Sequence, residues 1–397
     1  MFEFILKFGT LLLVCTFQAA AVHGTKEPGD SDLLDWLQEN GGVVNGVEVG
    51  KANGDSPRGL IATRTLHVGE VVLAVPVHCA LNLGRNMSAA QAAPLLLREK
   101  HRENSRLREY LESLPLEGDL HTQETLLDSE VALLQSPILR ELVERRRAHT
   151  HEMWMRTTDG GLPADFFSGA AVPLQEFRWA TAIVHSRWLP GKKDGEDIRM
   201  LVPGVDMANH DGASPQNLRL HDGMYELVIE STVRMGQEVR MDYGSHIRND
   251  QAAMRFGFLL PGEPPALFEV DRPQVAALYN SVQTKTQAAD SLLQVLRDQP
   301  TTALDDVTLL QRRFEAAAGL RLITATNMAR KRALANEIAL LGGELDAAFR
   351  PPCLSGVCGD GVNRLLNSED VENTEARNVA PHTYSSCWIP KLCNIYI

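Results

Sequence analysis

The run Pro261-Gly262-Glu263-Pro264-Pro265 constrains this chain most. Three prolines and a glycine within five residues can continue neither a helix nor a central strand, so the polypeptide must turn here or begin a new unit. The two sides carry different hydrophobic periods. Upstream, short strand-like runs flank a long helical stretch; downstream, Val275 to Leu296, Leu304 to Ala318 and Thr324 to Leu341 all show helical spacing. Strand-like and helical stretches thus lie in separate parts of the chain, in keeping with an α+β fold.

The upstream part can be resolved further. Asp32 to Glu39 reads as a short helix with Leu33, Leu34, Trp36 and Leu37 on its apolar side, stopped by Gly41-Gly42. Leu60-Ile61-Ala62 reads as a strand, and Val71 to Val77 as a strand buried on both faces. Ser88 to Arg156 is predominantly helical, with one stretch over Leu126 to Arg147, and Val172 to Trp188 forms another helix with Phe177, Thr181, Val184 and Trp188 on one stripe. Strands return from Met200 to Gly244. Asn217 to Leu220 and Met224 to Glu230 flank the hairpin signal Asp222-Gly223. In Glu238 to Tyr243 the alternation puts Val239, Met241 and Tyr243 on the buried face and Glu238, Arg240 and Asp242 on the other.

With 397 residues, the chain exceeds one ordinary core. The expected plan is a signal-like leader at 1–24, a folded unit at 32–262 carrying a helical insertion at about 88–170, an all-helical lobe at 263–349, and a disordered tail at 350–397. The apolar run Phe8 to Phe17 followed by small residues resembles a secretory signal, cleaved after Ala21 or Gly24. It is too short for a comfortable membrane span, so no stable span is expected after leader removal, and localisation in the secretory pathway is expected, the alternative being the cytoplasm. The net charge of −12 argues against a nucleic-acid partner. Arg145-Arg146-Arg147 and Arg330-Lys331-Arg332 are expected to be solvated helix faces. Cys79 follows an apolar strand and reads as a buried, inert thiol, whereas Cys353, Cys358, Cys387 and Cys393 fit no common zinc spacing, so no metal site is expected. Asn86-Met87-Ser88 is a glycosylation sequon.

Two segments carry the chemistry: Val205-Asp206-Met207-Ala208-Asn209-His210, then Val239-Arg240-Met241-Asp242-Tyr243-Gly244 followed by Arg255-Phe256-Gly257-Phe258. After an upstream Pro57-Arg58-Gly59-Leu60, this order resembles the SET-domain protein methyltransferases, nearest the branch of the Rubisco large-subunit lysine methyltransferase and the actin-histidine methyltransferase. The resemblance implies SET-type small β-sheets with a knot-like C-terminal crossing, S-adenosylmethionine as methyl donor, and a protein side chain as acceptor, lysine first and histidine as the alternative. A catalytically inactive SET-fold protein-binding module is the rival of a different class.

The resemblance also implies roles. Tyr243 would point its hydroxyl at the acceptor nitrogen and be catalytic. Ser56, Arg58, Gly59, Arg187, Asn209 and His210 would hold the donor. Ser186, Asp206 and Phe256 would border the acceptor, and Gly257 would let the chain pass close to Asn209-His210. This chain departs from the family pattern: His246-Ile247-Arg248 replaces the usual Ser-containing approach to Asn249, and the C-terminal helical region is shorter and only loosely similar. The Tyr243–Asn249 interval is one residue longer, and Trp188-Leu189-Pro190 stands where some relatives carry a second arginine. These departures bear on the acceptor more than on the donor. The chemistry is an in-line displacement in which positioning alone can supply about 7–11 kcal/mol.

Overall fold

The computed structural model of the protein describes residues 30–349, apart from 53–56, 164, 194, 245, 263–264, 282–283, 313–316 and 346–348. The expected leader, Ser56, and the tail with its four cysteines lie outside the described residues.

Helix α1 (Asp30–Glu39) leads into strands β1 (Val43–Val44), β2 (Val47–Lys51), β3 (Arg58–Ala62), β4 (Val71–Pro76) and β5 (Leu81–Asn82). Helices α2 (Ala89–His101), α3 (Arg108–Ser113), α4 (Asp128–Val131), α5 (Pro137–Arg156) and α6 (Leu174–Arg187) follow. Strands β6 (Leu189–Lys193), β7 (Glu196–Leu201), β8 (Asn217–His221), β9 (Met224–Val228) and β10 (Glu238–Val239) complete three small antiparallel sheets, ordered β1-β4-β9-β8, β10-β3-β2 and β5-β7-β6. Beyond them lie α7 (Asn249–Gln251), α8 (Arg272–Ser281), α9 (Lys285–Arg297), α10 (Ala303–Arg312) and α11 (Ala318–Leu340). The α+β expectation holds, and the β8–β9 hairpin turns at Asp222-Gly223, both at positive φ.

Several boundaries differ from the sequence reading, each for a local reason. The stretch Leu126 to Arg147 is two helices. Ser136 caps the Leu139 amide and Pro137 opens α5, which then runs on to Arg156. Val275 to Leu296 is likewise divided, because the Thr284 hydroxyl caps the Gln287 amide and starts α9. The strand expected from Glu238 to Tyr243 pairs as a ladder only at Glu238–Val239; Met241 instead makes a parallel bridge to His210. The Ser88 of the sequon caps α2 in a reciprocal box with Gln91, and Asn86 is exposed.

The cores show how the parts join. Leu60, Leu73, Leu201 and Val205 share one apolar cluster with Leu96, Leu97 and Tyr110 of the insertion. The later insertion residues Leu126, Leu134 and Val143 pack instead with Phe268, Leu322 and Ile323 of the C-terminal helices. Cys79 is buried, and burial pushes its thiol up, as befits an inert side chain.

The two basic clusters are solvated only in part: Arg145 is exposed, whereas Arg147, Arg330 and Lys331 are buried. Arg147 is buried; it bonds the carbonyls of Gln123 and Leu126 and pairs with Asp128. Arg330 makes a forked pair with Asp271, and Lys331 reaches Asp306 and Thr301. Three basic residues in a row on a helix point in different directions, so a cluster in sequence need not be a patch in space.

Beside Arg147, Glu124 is almost fully buried, and burial pushes its carboxyl up to about 7 against the pull of Thr150, Arg147, Arg178 and Arg146. A carboxyl raised on folding binds more protons in the native state, so its favourable contribution is complete below its ordinary value near 4.5 and is lost as pH rises through about 7. The wild-type unfolding free energy should therefore fall more between pH 5 and pH 8 than that of Glu124→Gln, by about 3 kcal/mol at most, as read by chemical denaturation.

Candidate active site

The site forms where β3, β10 and the 204–211 turn meet. Gly204 has φ +81, which starts the short turn Val205–Met207. The turn is tied to the chain after β10: the Met241 amide donates to the Asn209 carbonyl (2.9 Å), and the Asp211 amide donates to the Met241 carbonyl (2.9 Å). The Tyr243 amide donates to His210 Nδ1 (3.1 Å), which places the imidazole proton on Nε2. Burial lowers the His210 pKa, in keeping with a neutral ring.

The Tyr243 hydroxyl donates to the Ala208 carbonyl at 2.7 Å. Burial pushes this phenol up to about 12, so it keeps its proton through the physiological range. Around it the rings of His210 (5.2 Å between centroids) and Phe256 (5.1 Å) lie tilted, and Phe258 closes the group at 5.8 Å from both. Aromatic faces grouped this closely suit a cation. The chain from Val239 to Phe258 thus wraps the Asn209-His210 turn, the crossing expected from sequence.

Between β3 and β10, Asn209 Nδ2 donates to the Arg58 carbonyl (3.0 Å) and to Glu238 Oε1 (2.6 Å). Glu238 was expected to face away from the site. Its side chain is instead 4% exposed and anchors Asn209. A Cβ on Gly59 would lie 2.2 Å from Glu238 Oε1 and 2.8 Å from Asn209 Nδ2, so glycine is required by this pair. Gly59→Ala should cost about 1–3 kcal/mol in chemical denaturation. Gly257, at φ +81, approaches the His121 carbonyl of the insertion rather than the Asn209-His210 turn, since a Cβ there would meet that oxygen at 2.8 Å.

Arg187 Nη1 donates to the Asp206 carbonyl (2.9 Å) and lies 3.4 Å from Asp206 Oδ2. Tyr110, fully buried, donates its hydroxyl to the same Oδ2 at 2.7 Å. Asp206 Oδ1 is buried without a hydrogen-bond partner. Burial raises the Asp206 pKa, opposed by Arg187, Tyr110 and Arg58. Burial works against the Arg187 guanidinium too, but Asp206, Tyr110 and Tyr243 outweigh it and hold its pKa above the ordinary value. Ser186 donates its hydroxyl proton back to the Ala182 carbonyl of α6 (2.8 Å), so that proton is not offered to a substrate. The arrangement gathers Arg58, Gly59, Arg187, Asp206, Asn209, His210, Tyr243 and Phe256 around one place. The sequence reading missed Glu238 and Tyr110.

The three small sheets, the crossing and the helices on either side can now be set beside known structures. The SET domain of LSMT bound to MeLysine and AdoHcy superposes with a TM-score of 0.63 at 16% identity, covering 80% of this chain and 92% of that one. Rubisco LSMT bound to AdoMet gives 0.62 at 18%, covering 86% and 99%. The fold is that of a SET domain.

In sequence, the chain is 27% identical over 253 residues to the Arabidopsis thaliana chloroplastic [fructose-bisphosphate aldolase]-lysine N-methyltransferase, covering 56% of this chain and 50% of that protein. It is 26% identical over 262 residues to the Pisum sativum chloroplastic ribulose-1,5 bisphosphate carboxylase/oxygenase large subunit N-methyltransferase (59% and 52%). It is 28% identical over 265 residues to the Homo sapiens actin-histidine N-methyltransferase (59% and 43%). The chain thus spans about half the length of the curated relatives it matches. No protein-family model matches it.

S-adenosylmethionine fits the residues present. A sulfonium is served by carbonyl and phenol oxygens beside aromatic faces, and the adenosyl portion by main-chain groups next to a residue without a Cβ, here Gly59. Among the described residues no group of three or more His, Cys, Asp or Glu side chains is placed to hold a metal ion, and no helix is long and apolar enough to cross a membrane.

Proposed function

We propose that the chain is an S-adenosylmethionine-dependent protein-lysine N-methyltransferase. The observation that carries the reading is the Tyr243 hydroxyl bonded to the Ala208 carbonyl inside the aromatic group, next to Asn209-His210. The names of the Arabidopsis and pea relatives, and the lysine-bearing LSMT structures, favour lysine as acceptor.

The donor, when bound, supplies an electrophilic methyl group. Arg58, Gly59, Arg187, Asn209 and His210, with Ser56, would hold it; Ser186, Asp206 and Phe256 would border the acceptor. With its proton committed to Ala208, the Tyr243 oxygen turns its lone pairs to an amine N–H and so aims the nitrogen lone pair. A phenol pushed up to about 12 does not act as a base near neutrality. The lysine loses its proton to solvent, assisted by apolar walls that disfavour the ammonium form. The partner is a protein, and the helices beyond Phe268 form the lobe that selects it. The leader routes the chain into the secretory pathway, and fusing residues 1–30 to a cytosolic reporter checks this: the reporter should be secreted.

Incubating a proteome with the purified chain and isotopically labelled donor, followed by mass spectrometry, tests the activity. Labelled methyl on lysine is the expected result. Label on histidine reassigns the acceptor, and the absence of both label and donor binding favours a binding module.

A further inference from the structure

Tyr110 is separated from Asp206 by 96 residues and belongs to α3, in the helical insertion rather than in the strands that carry the motifs. Its ring is 0% exposed within the main core, yet its hydroxyl is aimed at Asp206 Oδ2. A buried phenol needs a partner, and many carbonyls would serve. This one takes an oxygen of a carboxylate whose side chain is itself 1% exposed and whose other oxygen, Oδ1, has no hydrogen-bond partner.

The same short helix touches the donor side. The Ser113 carbonyl at its end accepts from Arg58 Nη2, and the Ser113 hydroxyl donates to the Tyr110 carbonyl at 2.7 Å, bracing the turn between the two contacts. Helix α3 therefore holds β3, which carries Arg58-Gly59, and the 205–208 turn, whose Ala208 carbonyl receives the Tyr243 hydroxyl.

We infer that Tyr110 is a positioning residue of the methyl-transfer site: by bonding Asp206 Oδ2 together with Arg187, it fixes the carboxylate so that Oδ1 is left to accept an N–H of the acceptor. The inference rests on the methyltransferase reading and deepens it. The groups facing the Asp206 carboxylate are Tyr110 from α3, Arg187 from α6, Arg58 from β3 and the Tyr243 phenol. Oδ2 is already shared by two donors, whereas an unpaired buried oxygen is unfavourable unless a ligand completes it. The insertion would then be part of the acceptor site and not only its support.

The test compares the full chain with Tyr110→Phe, which keeps the ring and removes the hydroxyl. Three quantities are measured: S-adenosylhomocysteine affinity by calorimetry, the initial rate of labelled methyl transfer to a heat-treated cell lysate, and the pH dependence of that rate. The expected result is a rate loss of about 10- to 100-fold, the scale of a hydrogen bond to a charged group. S-adenosylhomocysteine affinity should stay within about threefold of wild type, a change too small to explain the rate. The acidic limb of the pH profile should move to higher pH, because Tyr110 helps keep Asp206 ionised.

Should the phenylalanine variant fail to fold, Asp206→Glu carries the same prediction for rate and affinity, since the longer side chain keeps the charge but misplaces the carboxylate. A folded variant with wild-type rate and acidic limb overturns the inference, as does an equal loss of rate and S-adenosylhomocysteine affinity, which marks a general packing role. A wild-type chain that binds S-adenosylhomocysteine but transfers no methyl overturns the methyltransferase reading itself, and with it this inference.

Discussion

Tyr243→Phe should lower the rate of methyl transfer about 10²- to 10³-fold while leaving S-adenosylhomocysteine affinity nearly unchanged. The hydroxyl is committed to the Ala208 carbonyl at 2.7 Å and surrounded by His210 and Phe256. Removing it changes the side-chain volume little but takes away the oxygen that aims the acceptor. The loss should therefore fall on kcat and not on donor binding. The phenol stays protonated up to about 12, so its own ionisation contributes nothing to the rise of wild-type rate with pH. The phenylalanine variant should show the same pH slope at a lower rate. A single-turnover measurement across pH 6–9 distinguishes this from a base mechanism, in which the slope itself would change.

Asp306→Ala should be the most destabilising single substitution considered, at about 3–5 kcal/mol. Lys331 is 2% exposed, and its ammonium contacts Asp306 Oδ2 and Thr301 Oγ1, the latter also bonded by Gln135 Nε2 at 2.7 Å. Deleting the carboxylate leaves a buried cation facing a hydroxyl. Burial already lowers the Lys331 pKa, so the variant should respond partly by releasing that proton, and its deficit should shrink at high pH. A double replacement, Asp306→Leu with Lys331→Met, should recover most of the loss, because an apolar pair of similar volume carries no desolvation cost. Chemical denaturation at pH 7 and pH 9.5 reads both effects. Gln135 belongs to the insertion, so loss of this network should also loosen the contact between the insertion and the C-terminal helices.

What was legible in the sequence was local. Tyr243, Asn209, His210 and Phe256 lie in short segments whose order and spacing survive in one chain, and the fold class followed from where strand-like and helix-like periods change. What was illegible depended on distance or on direction. Tyr110 sits at helical spacing among leucines, where an aromatic ring reads as core; it is core, and only its hydroxyl reaches the site. Glu238 lies on the polar side of the alternation, yet the ladder ends at Val239 and the side chain folds back to Asn209. Arg330 and Lys331 look like a solvated run because charge is visible in a sequence and the buried partners Asp271 and Asp306, brought from other elements, are not. Gly257 was expected to pass close to the Asn209-His210 turn, but the backbone it approaches is that of His121 in the insertion, a partner brought in from a distant part of the chain.

The central claim is that the Asn209-His210 turn and the Tyr243 phenol share one pocket that takes the methyl donor. Titrating S-adenosylhomocysteine into the purified chain by calorimetry tests it most directly, with Tyr243→Phe and Asn209→Ala alongside. Saturable one-to-one binding that persists in Tyr243→Phe and is weakened at least tenfold in Asn209→Ala is the expected outcome. No binding by the wild-type chain, or binding indifferent to Asn209, would contradict it.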